Sequence, residues 1–135
     1  MSNTIRLGHR LDHSEIYGPG VRSVFWTQGC NLACKGCWNT QYWSSRGGSE
    51  IEVSQILNEL DQLDGIEGIT LLGGEPLQQS EASLELIRGC KEMGLSVFLY
   101  TGYEPSEFDE TMQACFDLSD IAVTGRYVQE LRDTT

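Results

Sequence analysis

Hydrophobic positions along the chain follow two periodicities, one typical of buried strands and one typical of helices. Four short apolar runs are rich in β-branched and aromatic residues, a composition that predicts strands. The runs are VRSVFWTQ (Val21–Gln28), GITLL (Gly68–Leu72), LSVFLY (Leu95–Tyr100) and DIAVTG (Asp120–Gly125). The first twenty residues hold only scattered apolar positions, and no strand is predicted there.

Apolar residues recur at helical spacing in three segments between these runs. The first helix is predicted to have Ser54 as its N-cap, the second to run from about Ser80 to a stop at Gly94, and the third to start near Ser106. Their predicted buried faces are Ile56, Leu57, Leu60 and Leu63; Leu86, Ile87, Cys90 and Met93; and Phe108, Met112, Cys115 and Phe116. Glycines and serines at Ser44–Ser49 predict a turn.

This alternation of strands and helices predicts a parallel sheet with right-handed crossovers. Four strands are too few to close an eight-stranded barrel. The expected fold is therefore α/β, either a partial (β/α) barrel of about four to five parallel strands with flanking helices or an open sheet. Residues 1–135 are expected to form a single domain, since this length suits one core. Loops after the carboxyl ends of such strands build active sites, and here they read GCNLACKGCWN, GGEPLQ, TGYEP and TGRYV.

The charge of the chain narrows the range of partners. A net charge of −11 argues against binding to a phosphate backbone, so no nucleic-acid partner is expected. No stretch approaches the roughly 20 apolar residues of a membrane span, and nothing resembles a signal peptide, so a cytoplasmic protein without membrane attachment is expected.

Residues 1–49 carry a net charge of +3 and residues 50–135 a net charge of −14. The basic part would suit an anionic cofactor, or the split is a chance distribution of solvated charge.

Three of the five cysteines, Cys30, Cys34 and Cys37, lie together with the spacing C-x3-C-x2-C. In a reducing compartment this pattern indicates metal binding rather than disulfides. A structural zinc site normally takes four protein ligands, and His9 or His13 could supply the fourth only by folding back across the first predicted strand. A four-iron cluster held by three thiolates would keep one iron open for chemistry. Considered alone, these residues leave both metals possible.

Further segments give this motif a resemblance to a known family. C-x3-C-x2-C after the first predicted strand, with GGEP (Gly73–Pro76) after the second, resembles the radical S-adenosylmethionine (SAM) superfamily. More closely, YGPGVR, QGCNLACKGCWN, GGEP, YTGY and VTGRYVQELRD resemble, in this order, the small activating proteins of anaerobic ribonucleoside-triphosphate reductase. The similarity covers nearly the whole chain.

This resemblance implies an enzyme of defined chemistry. Cys30, Cys34 and Cys37 would hold a [4Fe-4S] cluster whose open iron binds the amino and carboxylate groups of SAM. An electron from a flavodoxin- or ferredoxin-type donor would cleave SAM to a 5′-deoxyadenosyl radical. In activating proteins this radical abstracts hydrogen from a glycine of the partner, so the expected partner is a glycyl radical enzyme, an anaerobic ribonucleotide reductase. The protein would orient the cofactors, which carry the hard chemistry.

The resemblance also implies which residues contact SAM. They are Gly36, Trp38, Gly73, Gly74, Glu75, Thr101 and Arg126. Exposed carbonyls at Gly73 and Gly74, with Glu75 nearby, would hold the ammonium of the methionine moiety; a tight turn with a surface glutamate is the alternative. Arg126 would reach the carboxylate or remain a solvated charge, and Thr101 would contact the ribose or methionine or serve only in a turn. Trp38 would pack over the cluster and adenine or be a core residue.

Two other functions stay open on the sequence. One is a small radical SAM enzyme that modifies another peptide or a nucleoside. The other is a non-catalytic iron–sulfur or zinc protein used for electron transfer or scaffolding. GGEP argues against the second, because a simple carrier needs no methionine-binding strand end. Cys90 and Cys115 lie on apolar helix faces and are predicted to be core residues rather than ligands.

Overall fold

The computed structural model describes residues 3–16, 20–28 and 49–125. Within these ranges, six strands form one sheet that is flanked by three α-helices. The strands are β1 (Thr4–Ser14), β2 (Arg22–Thr27), β3 (Ser49–Glu52), β4 (Gly68–Gly73), β5 (Ser96–Tyr100) and β6 (Ile121–Val123), and the helices are α1 (Val53–Asp61), α2 (Ser80–Glu92) and α3 (Glu110–Leu118). Short 3₁₀ turns at Pro76–Gln79 and Pro105–Glu107 precede α2 and α3.

The strand order is β3-β1-β2-β4-β5-β6. Strands β2, β4, β5 and β6 are parallel, and they are the four strands predicted from the sequence. The α/β class is therefore confirmed, whereas β1 and β3 were not predicted, and β1 pairs antiparallel with both β2 and β3. Strands β3 and β6 are the two edges of the described sheet, so the described strands do not close on themselves.

β1 brings together two distant points of the chain. Leu7 is the register partner of Thr27, the last residue of β2, and also of Ser49, the first residue of β3. Because neighbouring strands lie about 4.8 Å apart, Thr27 and Ser49 are held about 10 Å apart. The segment 28–48, which contains the three clustered cysteines, thus begins and ends on either side of β1.

The hydrophobic core lies between one face of the sheet and all three helices. Alternate residues of the central parallel strands point into it, because side chains of a strand alternate between its faces. The sheet and the helices meet in one cluster that includes Ile5, Leu7, Phe25, Ile69, Leu71, Val97 and Leu99 from the strands, and Ile56, Leu60, Leu86, Ile87, Cys90 and Cys115 from the helices. The opposite face of the sheet carries Trp26 and Leu72, which are register partners, and the stacked rings of Phe98 and Tyr100.

Two predicted helix starts are wrong. The N-cap of α1 is Glu52, and Ser54 lies inside the helix. α3 begins at Glu110 rather than near Ser106, because Pro105 starts a separate 3₁₀ turn and Asp109 caps α3 by accepting a hydrogen bond from the Met112 N–H at 2.8 Å. The second helix begins at Ser80 as predicted. Of the turn predicted at 44–49, only its last residue is described, and it belongs to β3.

A buried arginine ties the amino ends of the parallel strands together. Arg22 is only 2% exposed, and its guanidinium donates to the backbone carbonyls of Ile69 and Ser96 and to the hydroxyls of Thr70 and Ser96 at 2.7–3.3 Å. Burial lowers the pKa of Arg22 from its usual value, but a guanidinium still stays charged. Gly68 leaves the necessary space, since a Cβ there would clash with the Ser96 carbonyl and lie 2.5 Å from the guanidinium. This end of the sheet is opposite to the predicted site.

None of the helices in the described part of the chain is both long enough and apolar enough to cross a membrane.

Candidate active site

The carboxyl ends of the parallel strands, from which the predicted active-site loops leave, lie side by side in the sheet. Thr27 at the end of β2 is the register partner of Gly73 at the end of β4, and β5 follows beside β4. Cys30 comes three residues after Thr27 in the sequence. The three clustered cysteines, together with Gly36, Trp38 and Arg126, lie outside the described residues, so their roles stay predictions.

Gly73 lets the end of β4 approach the backbone of β2 closely. Gly73 has a φ of +112°, and a Cβ there would lie 2.5 Å from the Thr27 nitrogen and 2.7 Å from the Thr27 carbonyl oxygen. The Gly74 N–H donates to that same carbonyl at 2.8 Å. Only a residue without a side chain fits at position 73, so Gly73 fixes where the loop after β4 starts.

Glu75 is buried at this edge, which excludes the alternative of a surface glutamate. The side chain is 1% exposed. One carboxylate oxygen, Oε2, accepts hydrogen bonds from the Leu77 N–H at 2.8 Å and from the Thr101 hydroxyl at 2.7 Å. The other, Oε1, accepts from the Gly102 N–H at 2.7 Å. Two residues predicted to contact SAM, Glu75 and Thr101, are therefore bonded directly to each other.

Thr101 extends this network to the last strand. Its hydroxyl also accepts from the Tyr103 N–H at 3.1 Å, and its own N–H donates to the Val123 carbonyl at 2.9 Å. The Tyr103 carbonyl in turn accepts from the Gly125 N–H at 3.1 Å. The loops after β4, β5 and β6 are thus joined in series, and the last described residue of this series precedes Arg126.

Gln79 is a contact residue that the sequence analysis missed. Its side-chain oxygen accepts from the Arg6 N–H at 2.7 Å, and its amide nitrogen donates to the carbonyls of Arg6 at 3.0 Å and Gln28 at 3.2 Å. Gln28 lies two residues before Cys30. Gln79 therefore links the loop after β4 to the point where the cysteine segment leaves β2. Its only signal in the sequence is its position in the same loop as GGEP.

The two histidines considered as zinc ligands are separated along β1, with His9 at the middle of the strand and His13 near its carboxyl end. β1 does fold back onto β2, and the ring centroids of His9 and Trp26 are 5.1 Å apart, towards the carboxyl edge. His13 lies towards the other edge, where its Nε2 is 2.8 Å from the Asp64 carbonyl oxygen. Among the described residues there is no group of three or more histidine, cysteine, aspartate or glutamate side chains that could hold a metal ion.

The thiols of the described part of the chain are unsuited to metal binding. Cys90 and Cys115 are both fully buried, and burial raises the pKa of each thiol to about 12. Metal ligation requires the thiolate, which these environments disfavour. The donor set left for a cluster is the C-x3-C-x2-C motif, and three thiolates in one short segment fit a [4Fe-4S] cluster with one open iron.

Comparisons with known proteins agree with this chemistry. A family model described as a 4Fe-4S single cluster domain matches residues 16–135. The anaerobic ribonucleoside-triphosphate reductase-activating protein of Haemophilus influenzae is 32% identical over 126 residues, covering 87% of this chain and 81% of that protein. The pyruvate formate-lyase-activating enzyme of Clostridium pasteurianum is 35% identical over 106 residues, covering 73% of this chain and 44% of that enzyme.

One solved structure confirms the fold independently of sequence. QueE from Escherichia coli matches with a TM-score of 0.63 and covers 97% of this chain and 74% of that one. The sequence identity is 12%, so this similarity concerns the fold alone.

Proposed function

Because the chain belongs to the 4Fe-4S single cluster domain family and to the radical SAM activating enzymes, we propose that it activates an anaerobic ribonucleotide reductase by forming a glycyl radical. One observation carries the proposal. The cysteine motif follows β2, and Gly73-Gly74-Glu75 follows the neighbouring parallel strand β4, so both leave the same edge of the sheet.

In this proposal each group at the edge has a distinct role. Cys30, Cys34 and Cys37 hold the [4Fe-4S] cluster, and the backbone at Gly73 and Gly74 receives the ammonium of SAM. With cluster and SAM bound, reductive cleavage supplies a 5′-deoxyadenosyl radical that abstracts hydrogen from the glycine of the partner. Four residues complete the SAM pocket: Gly36, Trp38, Thr101 and Arg126. Residues 1–135 act as one core domain.

The choice of partner rests on the relatives that this chain matches over most of their length. The activating protein of Escherichia coli K12, like that of Haemophilus influenzae, is named for anaerobic ribonucleoside-triphosphate reductase and is covered over 82% of its length. Pyruvate formate-lyase is the second candidate, because its activating enzyme in Clostridium pasteurianum shares 35% identity, although over less than half of that enzyme. We further propose a flavodoxin- or ferredoxin-type electron donor and a cytoplasmic location.

The first test is SAM cleavage under anaerobic conditions. The protein is reconstituted with iron and sulfide, reduced with dithionite and incubated with SAM, and 5′-deoxyadenosine is quantified. Cys34→Ala should lose the cluster spectrum and the product. Cys90→Ala is the matched control and should keep both, because Cys90 is a buried core thiol with its pKa near 12. Absence of product from a protein with an intact cluster would contradict the proposal.

The second test identifies the partner. Purified anaerobic ribonucleotide reductase and purified pyruvate formate-lyase are incubated separately with the reduced protein and SAM. We expect electron paramagnetic resonance to detect a glycyl radical on the reductase. A radical only on pyruvate formate-lyase would replace the first partner by the second.

A further inference from the structure

We propose that Glu75 is a positioning residue: its buried carboxylate holds the loops after β4, β5 and β6 in the arrangement that binds SAM, and it does not itself contact the ammonium. The inference rests on the proposed function, because it requires SAM to bind at this edge of the sheet. It assigns to Glu75 a task different from the direct contact that the sequence motif implies.

The first argument is the number of hydrogen bonds already made to this carboxylate. It accepts from Leu77, Thr101 and Gly102 at 2.7–2.8 Å, with at least one bond at each oxygen. These distances are typical of hydrogen bonds to a charged acceptor, which are about twice as strong as neutral ones. With the side chain 1% exposed, an ammonium would have to displace the loop to reach it.

The second argument is the identity of the donors. Leu77 belongs to the 3₁₀ turn after β4, whereas Thr101 and Gly102 belong to the loop after β5. A single side chain therefore fixes the distance between two loops that are 26 residues apart in the chain. Through Tyr103 and Gly125 the same network reaches the loop after β6.

The third argument is that no isosteric residue can replace the carboxylate. In Glu75→Gln one of the two oxygens becomes an NH₂ group. The new NH₂ group would face the backbone N–H of either Gly102 or Leu77. Both groups of that pair are hydrogen-bond donors, so no hydrogen bond could form between them. The variant must therefore move at least one loop, although its size is unchanged. Thr101→Val likewise keeps the shape of the side chain but removes the hydroxyl that donates to Glu75.

The binding test uses two ligands that differ in the amino acid part. SAM and 5′-methylthioadenosine, which has the adenosine and sulfur but no ammonium or carboxylate, are titrated calorimetrically into the anaerobically reconstituted protein. If Glu75 positions the loops, Glu75→Gln should weaken both ligands by about tenfold, as is common for residues that support a site through its ligands. A loss for SAM alone, with 5′-methylthioadenosine unchanged, would mean that Glu75 serves only the amino acid part of SAM rather than the arrangement of all three loops, and it would overturn the inference.

Variants of Thr101 test the connection between the loops. Thr101→Val should weaken both ligands as Glu75→Gln does, and Thr101→Ser, which keeps the hydroxyl, should restore affinity to within about twofold of wild type. The double variant Glu75→Gln/Thr101→Val should lose less than the product of the two single losses, because both changes disturb the same hydrogen-bond network. Independent losses would overturn the inference.

Thr70→Val is the matched control, because it removes a buried hydroxyl near the opposite edge of the sheet and should leave both affinities unchanged.

Hydrogen exchange followed by mass spectrometry tests the loops without any ligand. In Glu75→Gln, amides in peptides covering residues 100–104 and 121–125 should exchange at least about tenfold faster than in wild type, while Thr70→Val should leave them unchanged. Unchanged exchange in Glu75→Gln overturns the inference by itself. Failure of the wild-type protein to bind either ligand would instead overturn the proposed function, and with it the part of this inference that concerns SAM.

Discussion

Gly73 combines a backbone conformation and a contact that an alanine cannot reproduce. Its φ of +112° lies outside the range that L side chains adopt easily, and an added methyl would meet the backbone of Thr27, which cannot rotate away. We expect Gly73→Ala to lower the free energy of unfolding by about 3 kcal/mol, part from backbone strain and part from the clash. Urea denaturation of the anaerobic protein measures this change.

Gly94 provides the matched control for that substitution. It also has a positive φ, +81°, but a Cβ there would have nothing within 4 Å. Gly94→Ala should therefore show only the conformational penalty, about 1 kcal/mol. If both alanine variants lose the same stability, the close approach of β4 to β2 is not what requires Gly73.

The sequence is a better guide to which residues belong to the candidate site than to the contacts those residues make. Gly73, Glu75 and Thr101 were singled out from motifs, and the structure places all three at one edge. The bond between Glu75 and Thr101 spans 26 positions, and that between Gln79 and the Arg6 backbone spans 73. Hydrophobic periodicity describes neighbours a few positions apart, so it contains no information on such pairs, and Gln79 was missed.

Helices α1 and α3 differ in whether a side chain caps the N-terminus. Asp109 caps α3 through its hydrogen bond from the Met112 N–H, whereas Ser54, the N-cap predicted from sequence for α1, lies within that helix, whose N-cap is Glu52. Asp109→Ala should reduce the free energy of unfolding by about 1 kcal/mol. Ser54→Ala should change it by no more than about 0.5 kcal/mol, because alanine is the better helix former and no cap is lost. A larger loss for Ser54→Ala, again by urea denaturation, would contradict the observed helix start.

The local residue pattern explains why the four parallel strands could be predicted from the sequence and β1 could not. β2 and β4 are buried along most of their length, and β5 and β6 consist mainly of β-branched and aromatic residues, so all four read as strand-like apolar runs. In β1 only Ile5 and Leu7 are buried, and an irregularity between Leu7 and His9 interrupts the alternation of its side chains. β1 is held by its place between two other strands, which a local pattern does not reveal. The four residues of β3 are similarly exposed or half-buried.

The stability of the whole molecule should depend on pH through carboxylates that are hydrogen-bonded to basic side chains. Asp120 accepts from Lys91 and from the Val97 N–H, and the bond from Lys91 is the main cause of its lowered pKa. The bond from Arg10 acts in the same way on Glu59. A carboxylate whose pKa is lower in the folded state stabilises the fold above its unfolded pKa, about 4, and this contribution is lost as the pH falls through the folded pKa.

Asp120→Asn tests this dependence. The variant should be less stable than wild type at pH 7, by no more than about 1 kcal/mol because the carboxylate is partly exposed and screened. The difference should shrink as the pH is lowered below about 4, because the carboxylate is then protonated first in the unfolded chain and, at still lower pH, in the folded protein. Urea denaturation of both proteins at each pH checks this expectation. A gap that stays constant across this range would show that the charge of Asp120 is not responsible.

The position of β1 between β2 and β3 has a consequence for the entropy of the cysteine segment. A free chain of 21 residues, the length of segment 28–48, loses about 3 kcal/mol when its ends are brought together. Here Leu7 pairs with Thr27 on one side and Ser49 on the other, so formation of the sheet already closes this loop. Binding of a cluster by Cys30, Cys34 and Cys37 would then not include this cost, and the closure entropy belongs to folding rather than to metal binding.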